Sequence, residues 1–166
     1  MRLFVAVWPS EDAVEELRAL RRKDQRGVRF TTPEQWHVTL RFLGDADPDR
    51  VGAALDEAYL PECVARLGPG VDVKGDRTVL VPVEGVGTLA GEVVRATASL
   101  GEAPRSHFLG HLTLARLARD ATPPPIVGAY VAAEWPVYEI ALVRSRLGPE
   151  GSRYDTIATW PTADPD

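Results

Sequence analysis

The chain has a single cysteine, Cys63, so no disulfide can form within it. It has no apolar run near the roughly 20 residues a membrane-spanning helix requires. The apolar segment at residues 3–8 is too short for the core of a secretory signal and runs straight into Ser10-Glu11-Asp12. A basic excess is also missing: 19 Lys and Arg stand against 24 Asp and Glu, a formal net charge of −5. Proteins that coat long nucleic acid or anionic membrane carry the opposite balance. Any nucleic acid bound here is therefore expected to be gripped locally, at an end or a single nucleotide. Histidine is scarce, with three in 166 residues, and no low-complexity stretch or linker divides the chain. These absences predict one domain, residues 1–166, in a reduced cytoplasmic setting, monomeric and away from membranes.

What is present suits a folded core: 45% of residues are hydrophobic and 26% charged. Residues 3–8 read as a strand buried on both faces. Ser10 is an N-cap, with Glu11 and Asp12 at the positive helix end and Val14, Leu17 and Leu20 at helical spacing. That helix is expected to stop at Gly27, leaving Arg21, Arg22 and Lys23 as a solvated end. Residues 28–31 read as a short strand, 32–34 as a turn, and 36–43 as a strand closed by Gly44. Asp47-Pro48 reads as a cap followed by proline in the first turn, opening a helix to about residue 59. Strands are expected at 71–73 and 78–83 around Gly75-Asp76. A helix follows at 86–100, with Leu89, Val93 and Val94 toward the core, then a loop over 101–110. A strand at 111–117, a proline-rich connector at 122–125 and a hairpin of 137–147 with 154–160 complete the order, which is α+β.

One internal echo stands out. His37-Val38-Thr39-Leu40 matches His111-Leu112-Thr113-Leu114, with the two histidines almost half the chain apart. In a strand, side chains two apart share a face, so each motif seats apolar residues inward and shows an imidazole and a hydroxyl outward. A lone histidine on a strand is ordinarily structural or surface-placed; two of three in one repeated frame point to chemistry. Histidine is the side chain that is readily protonated or neutral near pH 7. A neutral imidazole can take a proton from water while a protonated partner gives one to a leaving oxygen. Threonine hydroxyls can stabilise the developing phosphoryl charge. A guanidinium from Arg116 or Arg41 would add to that.

Residues 32–44, Thr-Pro-Glu-Gln-Trp-His-Val-Thr-Leu-Arg-Phe-Leu-Gly, and residues 111–116, His-Leu-Thr-Leu-Ala-Arg, resemble the paired signatures of the two-histidine phosphoesterases. The likeness is closest to the RNA 2',3'-cyclic phosphodiesterase branch, historically called 2'-5' RNA ligases. Residues 1–7 are similar to that family's opening strand and residues 144–154 to its closing hairpin. The resemblance implies a bilobal α+β fold, two pseudo-symmetric lobes with antiparallel sheets about a central cleft. It implies His37 as proton donor, His111 as proton acceptor, and Thr39, Thr113 and Arg116 on the phosphoryl oxygens. It implies Phe42 as a base-stacking residue. The residues themselves add Arg41 and Tyr154 as candidate substrate contacts. The implied reaction opens a 2',3'-cyclic phosphate to a 2'-phosphate on an RNA end or nucleotide, with no cofactor and no metal. The chain departs from the family pattern at Gly110, where proline commonly precedes the second histidine.

Other signals are weaker. Residues 85–90 loosely match a dinucleotide-binding glycine pattern, but no parallel sheet is indicated around them. His107 and His111 have a spacing seen in zinc sites, without a cysteine pair to complete one. The motif residues also leave open 2'-5' ligation, the same chemistry reversed, and a non-catalytic module that binds RNA ends or nucleotides.

Overall fold

A computed structural model of the chain describes residues 1–75 and 77–164. Asp76, in the turn expected near Gly75, lies outside the described residues. The elements run β1 (Arg2–Val7), α1 (Glu11–Arg18), β2 (Val28–Phe30), a 3₁₀ turn (Pro33–Gln35), β3 (Val38–Asp45), α2 (Pro48–Asp56), β4 (Cys63–Leu67), β5 (Asp72–Lys74), β6 (Thr78–Glu84), α3 (Gly87–Thr97), β7 (His111–Leu117), β8 (Ala133–Val137), β9 (Glu139–Gly148) and β10 (Gly151–Pro161). The fold is α+β.

The strands follow one path, β10-β9-β1-β3-β7-β6-β4-β8, with β2 beside β7 and β5 beside β6. Each pairing between these strands is antiparallel. The order is close to a palindrome. The unit β1-α1-β3 is echoed by β6-α3-β7, and the two motif strands, β3 and β7, meet in the middle at a single bridge, Val38 to Leu112. The helices tie the halves together: α1 packs against β8 and α3 against β3, each across from the strand that precedes it.

Local rules account for the helices. Ser10 accepts a hydrogen bond from the Ala13 N–H at 3.2 Å, and Asp47 one from the Asp49 N–H at 2.9 Å. Ala13 and Leu17 form the buried stripe of α1; Leu89, Ala90, Val93 and Thr97 form that of α3. Val94, expected in the core, is only half-buried. Helix α1 ends at Arg18 rather than near Gly27, although Leu20, just past its end, still packs against the main core. The Arg21-Arg22-Lys23 segment is accordingly not a helix end, and the Arg22 guanidinium lies over the buried Trp36 ring, 5.1 Å from its centroid.

Two strands were absent from the sequence expectation, β4 and β8, which pair with each other. Pro136 within β8 argues against a central strand, and β8 is in fact at the end of the sheet path, where a missing N–H is tolerated. Strand β1 is buried on both faces as expected. Leu3, Val5 and Val7 join the main core, while Phe4 and Ala6 join a smaller cluster with Ala141 and Val143 on the opposite face of the sheet. That second face carries the motif residues. No described helix is long and apolar enough to cross a membrane.

Candidate active site

The two motif strands are built alike. Across β1 and β3, Val5 pairs with Arg41 but Ala6 pairs with Thr39, so Leu40 is an extra residue in the ladder. Across β6 and β7, Val79 pairs with Ala115 but Leu80 pairs with Thr113, so Leu114 is the extra residue. Each motif thus has a β-bulge three residues after its histidine. The bulge breaks the alternation, and two consecutive residues turn to the core: Leu40 with Arg41, and Leu114 with Ala115. The next residue returns to the open face. That residue is Phe42 in the first motif and Arg116 in the second.

The second bulge has its own support. Thr31 donates its N–H to the Leu114 carbonyl at 2.8 Å, and its hydroxyl reaches the Thr113 and Leu114 carbonyls at 2.9 and 3.0 Å. The buried Trp36 indole N–H donates to the same hydroxyl at 3.0 Å. Trp36 is therefore a core residue that braces the site from behind.

Both histidines are held the same way. His37 Nδ1 is 2.7 Å from the Gln35 carbonyl, and His111 Nδ1 is 2.9 Å from the Leu109 carbonyl. A carbonyl oxygen can only accept, so each Nδ1 carries a proton and each Nε2 is left to react. His37 Nε2 lies 3.0 Å from the Thr39 hydroxyl, which donates to it when the ring is neutral. The antiparallel bridge at Val38 and Leu112 runs His37 toward Thr113 and Thr39 toward His111. The site therefore gathers two imidazoles and two hydroxyls about a local two-fold centre.

The surroundings are unequal. The His37 ring sits among Phe4 at 4.7 Å, Tyr154 at 5.2 Å and Trp8 at 5.9 Å between ring centroids. This wall withdraws it from water, and burial pulls its pKa from 6.5 down to about 4. The Gln35 carbonyl opposes the shift, while positive charge on nearby His111 and Arg116 adds to it. In the free protein at neutral pH, His37 is neutral. Trp8 is fixed in turn by its indole N–H, which donates to the Thr156 hydroxyl at 3.1 Å.

The structure puts His37, Thr39, Phe42 and Tyr154 on the open face of one half of the sheet, and His111, Thr113 and Arg116 on that of the other. The Arg2 guanidinium lies over the Phe42 ring, 5.1 Å from its centroid. Arg41 is a correction: it is not a substrate contact. It is 3% exposed, and its guanidinium donates to the carbonyls of Phe42 (2.6 Å), Thr97 (3.3 Å), Leu100 (2.8 Å) and Glu102 (2.8 Å). The bulge at Leu40 turned it inward, where it ties β3 to the end of α3. Phe4, Trp8, Gln35 and Leu109 were missed. The alternation of Phe4, Ala6 and Trp8 along one face of the first strand was the available signal for the wall. Backbone carbonyls leave none. Among the described residues, no three His, Cys, Asp or Glu side chains converge as a metal site would require.

Comparison with known proteins agrees with this architecture. The family model described as LigT like phosphoesterase matches residues 7–61. An RNA 2',3'-cyclic phosphodiesterase of Thermus thermophilus is 32% identical, covering 95% of this chain and 88% of the relative. One from Archaeoglobus fulgidus is 30% identical, covering 96% and 99%. The crystal structure of TT0787 from Thermus thermophilus superposes with a TM-score of 0.81 at 31% identity over 100% of both chains. E. coli LigT complexed with 3'-AMP shares the fold, with a TM-score of 0.78 at 23% identity over 97% of each chain. With two bulged His-x-Thr strands meeting at one bridge, and relatives of this likeness along nearly its whole length, the chain belongs to the LigT-like phosphoesterase family.

Proposed function

We propose that this protein hydrolyses the 2',3'-cyclic phosphate of RNA ends or nucleotides to a 2'-phosphate, with no metal taking part. The observation that carries the reading is the matched anchoring of His37 and His111, each Nδ1 bound to the carbonyl two residues before it, on strands that meet at Val38 and Leu112, which leaves each Nε2 as the reacting nitrogen on the open face. Membership of the family and the activity named for the Thermus and Archaeoglobus relatives support the same substrate.

In this mechanism His111 Nε2 takes a proton from water as its oxygen attacks phosphorus. The bond from phosphorus to O3' breaks, and His37 Nε2 gives its proton to that oxygen, leaving a 3'-hydroxyl and a 2'-phosphate. Thr39, Thr113 and Arg116 stabilise the charge on the non-bridging oxygens. His37 is neutral in the free protein, so its donor role requires a proton that arrives with the substrate. The bound phosphodiester supplies the reason, because a negative charge beside an imidazole favours the protonated form. Phe42 and Tyr154 offer ring faces and edges to the nucleobase. Every group comes from one chain, so a monomer suffices, and residues 1–166 act as one unit of two pseudo-symmetric halves.

The test is incubation with a nucleoside 2',3'-cyclic phosphate and a short RNA bearing the same end, in EDTA, with the products resolved. Accumulation of 2'-phosphate supports the reading. No turnover, or turnover only on adding metal, overturns it.

A further inference from the structure

Arg29 of β2 pairs directly with Arg116 of β7. Their neighbours Val28, Phe30, Ala115 and Leu117 pack into the main core, so both arginines project from the opposite, open face of the sheet. Like charges set directly across an antiparallel ladder repel. Among the described residues, the ion pairs present involve neither guanidinium. The pair borders an open groove of about 490 Å³ at the ends of the two strands, lined by residues 27–29 and 116–118.

The Arg29 guanidinium also lies against a hairpin tip. A β-carbon on Gly151, at the tip of the β9–β10 hairpin, would overlap the Arg29 guanidinium. Gly151 has φ +106, a conformation suited to glycine, and its lack of a side chain leaves the arginine room. The tip is pinned nearby: the Gln35 side-chain amide donates to the Ser152 carbonyl at 2.7 Å. Gln35 is the same residue whose carbonyl holds His37. Arg29 is thus a cation with no ion-pair partner among the described residues, at the edge of the sheet's open face, one strand from Arg116.

We infer that Arg29 binds a second phosphate of the substrate, the one attached on the 5' side of the nucleoside that carries the cyclic phosphate. The inference rests on the cyclic phosphodiesterase reading above. With Arg116 on the reacting phosphoryl group, the next anion along a substrate of this class is that 5' phosphate. Adjacent strands lie about 4.8 Å apart, and two long guanidinium arms rooted at that spacing can reach two successive phosphates. Such a site explains how an acidic protein holds an RNA end: the grip is local and confined to one rim. The same chemistry fits an internal phosphodiester of an oligonucleotide and a terminal 5'-monophosphate.

The experiment compares kcat/KM on three substrates: cytidine 2',3'-cyclic phosphate with a free 5'-hydroxyl, its 5'-phosphorylated form, and a dinucleotide ending in the cyclic phosphate. The parent is expected to favour the substrates bearing the second phosphate. Arg29→Ala and Arg29→Gln should each cut that preference about tenfold, as expected for loss of a charge-assisted contact. Arg116→Ala should instead lower kcat/KM on all three. Loss of preference for the dinucleotide alone identifies the internal diester as the ligand, and loss for both identifies the phosphate group itself. A parent with no preference, or Arg29 variants that retain it, overturns the inference while the hydrolase reading stands. Absence of turnover on every substrate overturns the hydrolase reading instead.

Discussion

Leu40 and Leu114 are the same structural residue in two strands: each is the unpaired member of a β-bulge three positions after a motif histidine. Because both strands slip at that point, the fifth position after each histidine faces the open side of the sheet, and there the halves diverge. Phe42 offers a ring on one side and Arg116 a charge on the other. Two similarly built halves thereby present an asymmetric face, with a ring on one side and a charge on the other.

Removing either imidazole should stop the reaction. His37→Ala and His111→Ala are each expected to lower kcat by at least about 100-fold, the usual contribution of a positioned acid or base. Thr39→Val and Thr113→Val should cost roughly 10- to 100-fold through lost stabilisation of phosphoryl charge. Circular dichroism on each variant checks that the fold is kept. Near-parent turnover in either histidine variant would exclude the two-imidazole mechanism.

Arg41 predicts a different kind of loss. Arg41→Leu should destabilise the protein by about 3 kcal/mol or more, since several buried carbonyls lose a charged donor at once. Urea unfolding measures this directly. The protein that remains folded should keep its kcat, because the guanidinium is directed to the end of α3 and away from the cleft. A large fall in kcat at unchanged stability would return Arg41 to the site.

The error over Arg41 shows where sequence reading stopped. His37, Thr39, His111 and Thr113 were legible because the period of a strand and the chemistry of the residue types suffice to group them. The capped starts of α1 and α2 were legible for a similar reason, since Ser10 and Asp47 act on backbone groups only a few residues away. A bulge is different: it exists only in relation to the partner strand, and nothing in Leu40 or Leu114 announces it. Strict alternation therefore sent Arg41 to the open face and left the family resemblance to place Phe42. The aromatic wall was hidden for another reason. A run as apolar as residues 3–8 does not say which of its faces meets the core and which meets His37.

That wall should govern where His37 loses its proton in the pH profile. Burial lowers the His37 pKa to about 4, and a donor must be protonated to act, so kcat/KM of the parent should break near that value, the donor form dwindling above it. Trp8→Ala admits water to the ring, favours the charged form, and should move the break upward toward 6.5. Unfolding should show the linked effect. The unfolded chain takes up the His37 proton first, so stability falls as pH drops from about 6.5 through about 4. His37→Gln has no such proton to take up and should lose less stability over that window. Identical pH dependence in parent and variant melting curves would mean that His37 is not held neutral by the fold.

Gly110 offers a test of how the second histidine is positioned. Its α-carbon lies against the Val83 carbonyl so closely that any β-carbon there would overlap the oxygen. The Val83 N–H in turn donates to the Gly110 carbonyl at 2.9 Å, which joins β6 to the start of β7. A side chain must push these segments apart, and the preceding carbonyl of Leu109 is the one that orients His111. Gly110→Ala is therefore expected to cost about 1–3 kcal/mol of stability. It should also lower kcat more than it raises KM, because the displaced group holds a reacting imidazole. Gly110→Pro, which restores the residue common in the family, should do the same or worse in this chain, since the Val83 carbonyl occupies the space its ring needs. A proline variant with parent stability and parent kcat would show that β6 yields freely at Val83, and that the Leu109 carbonyl is not what sets the His111 ring.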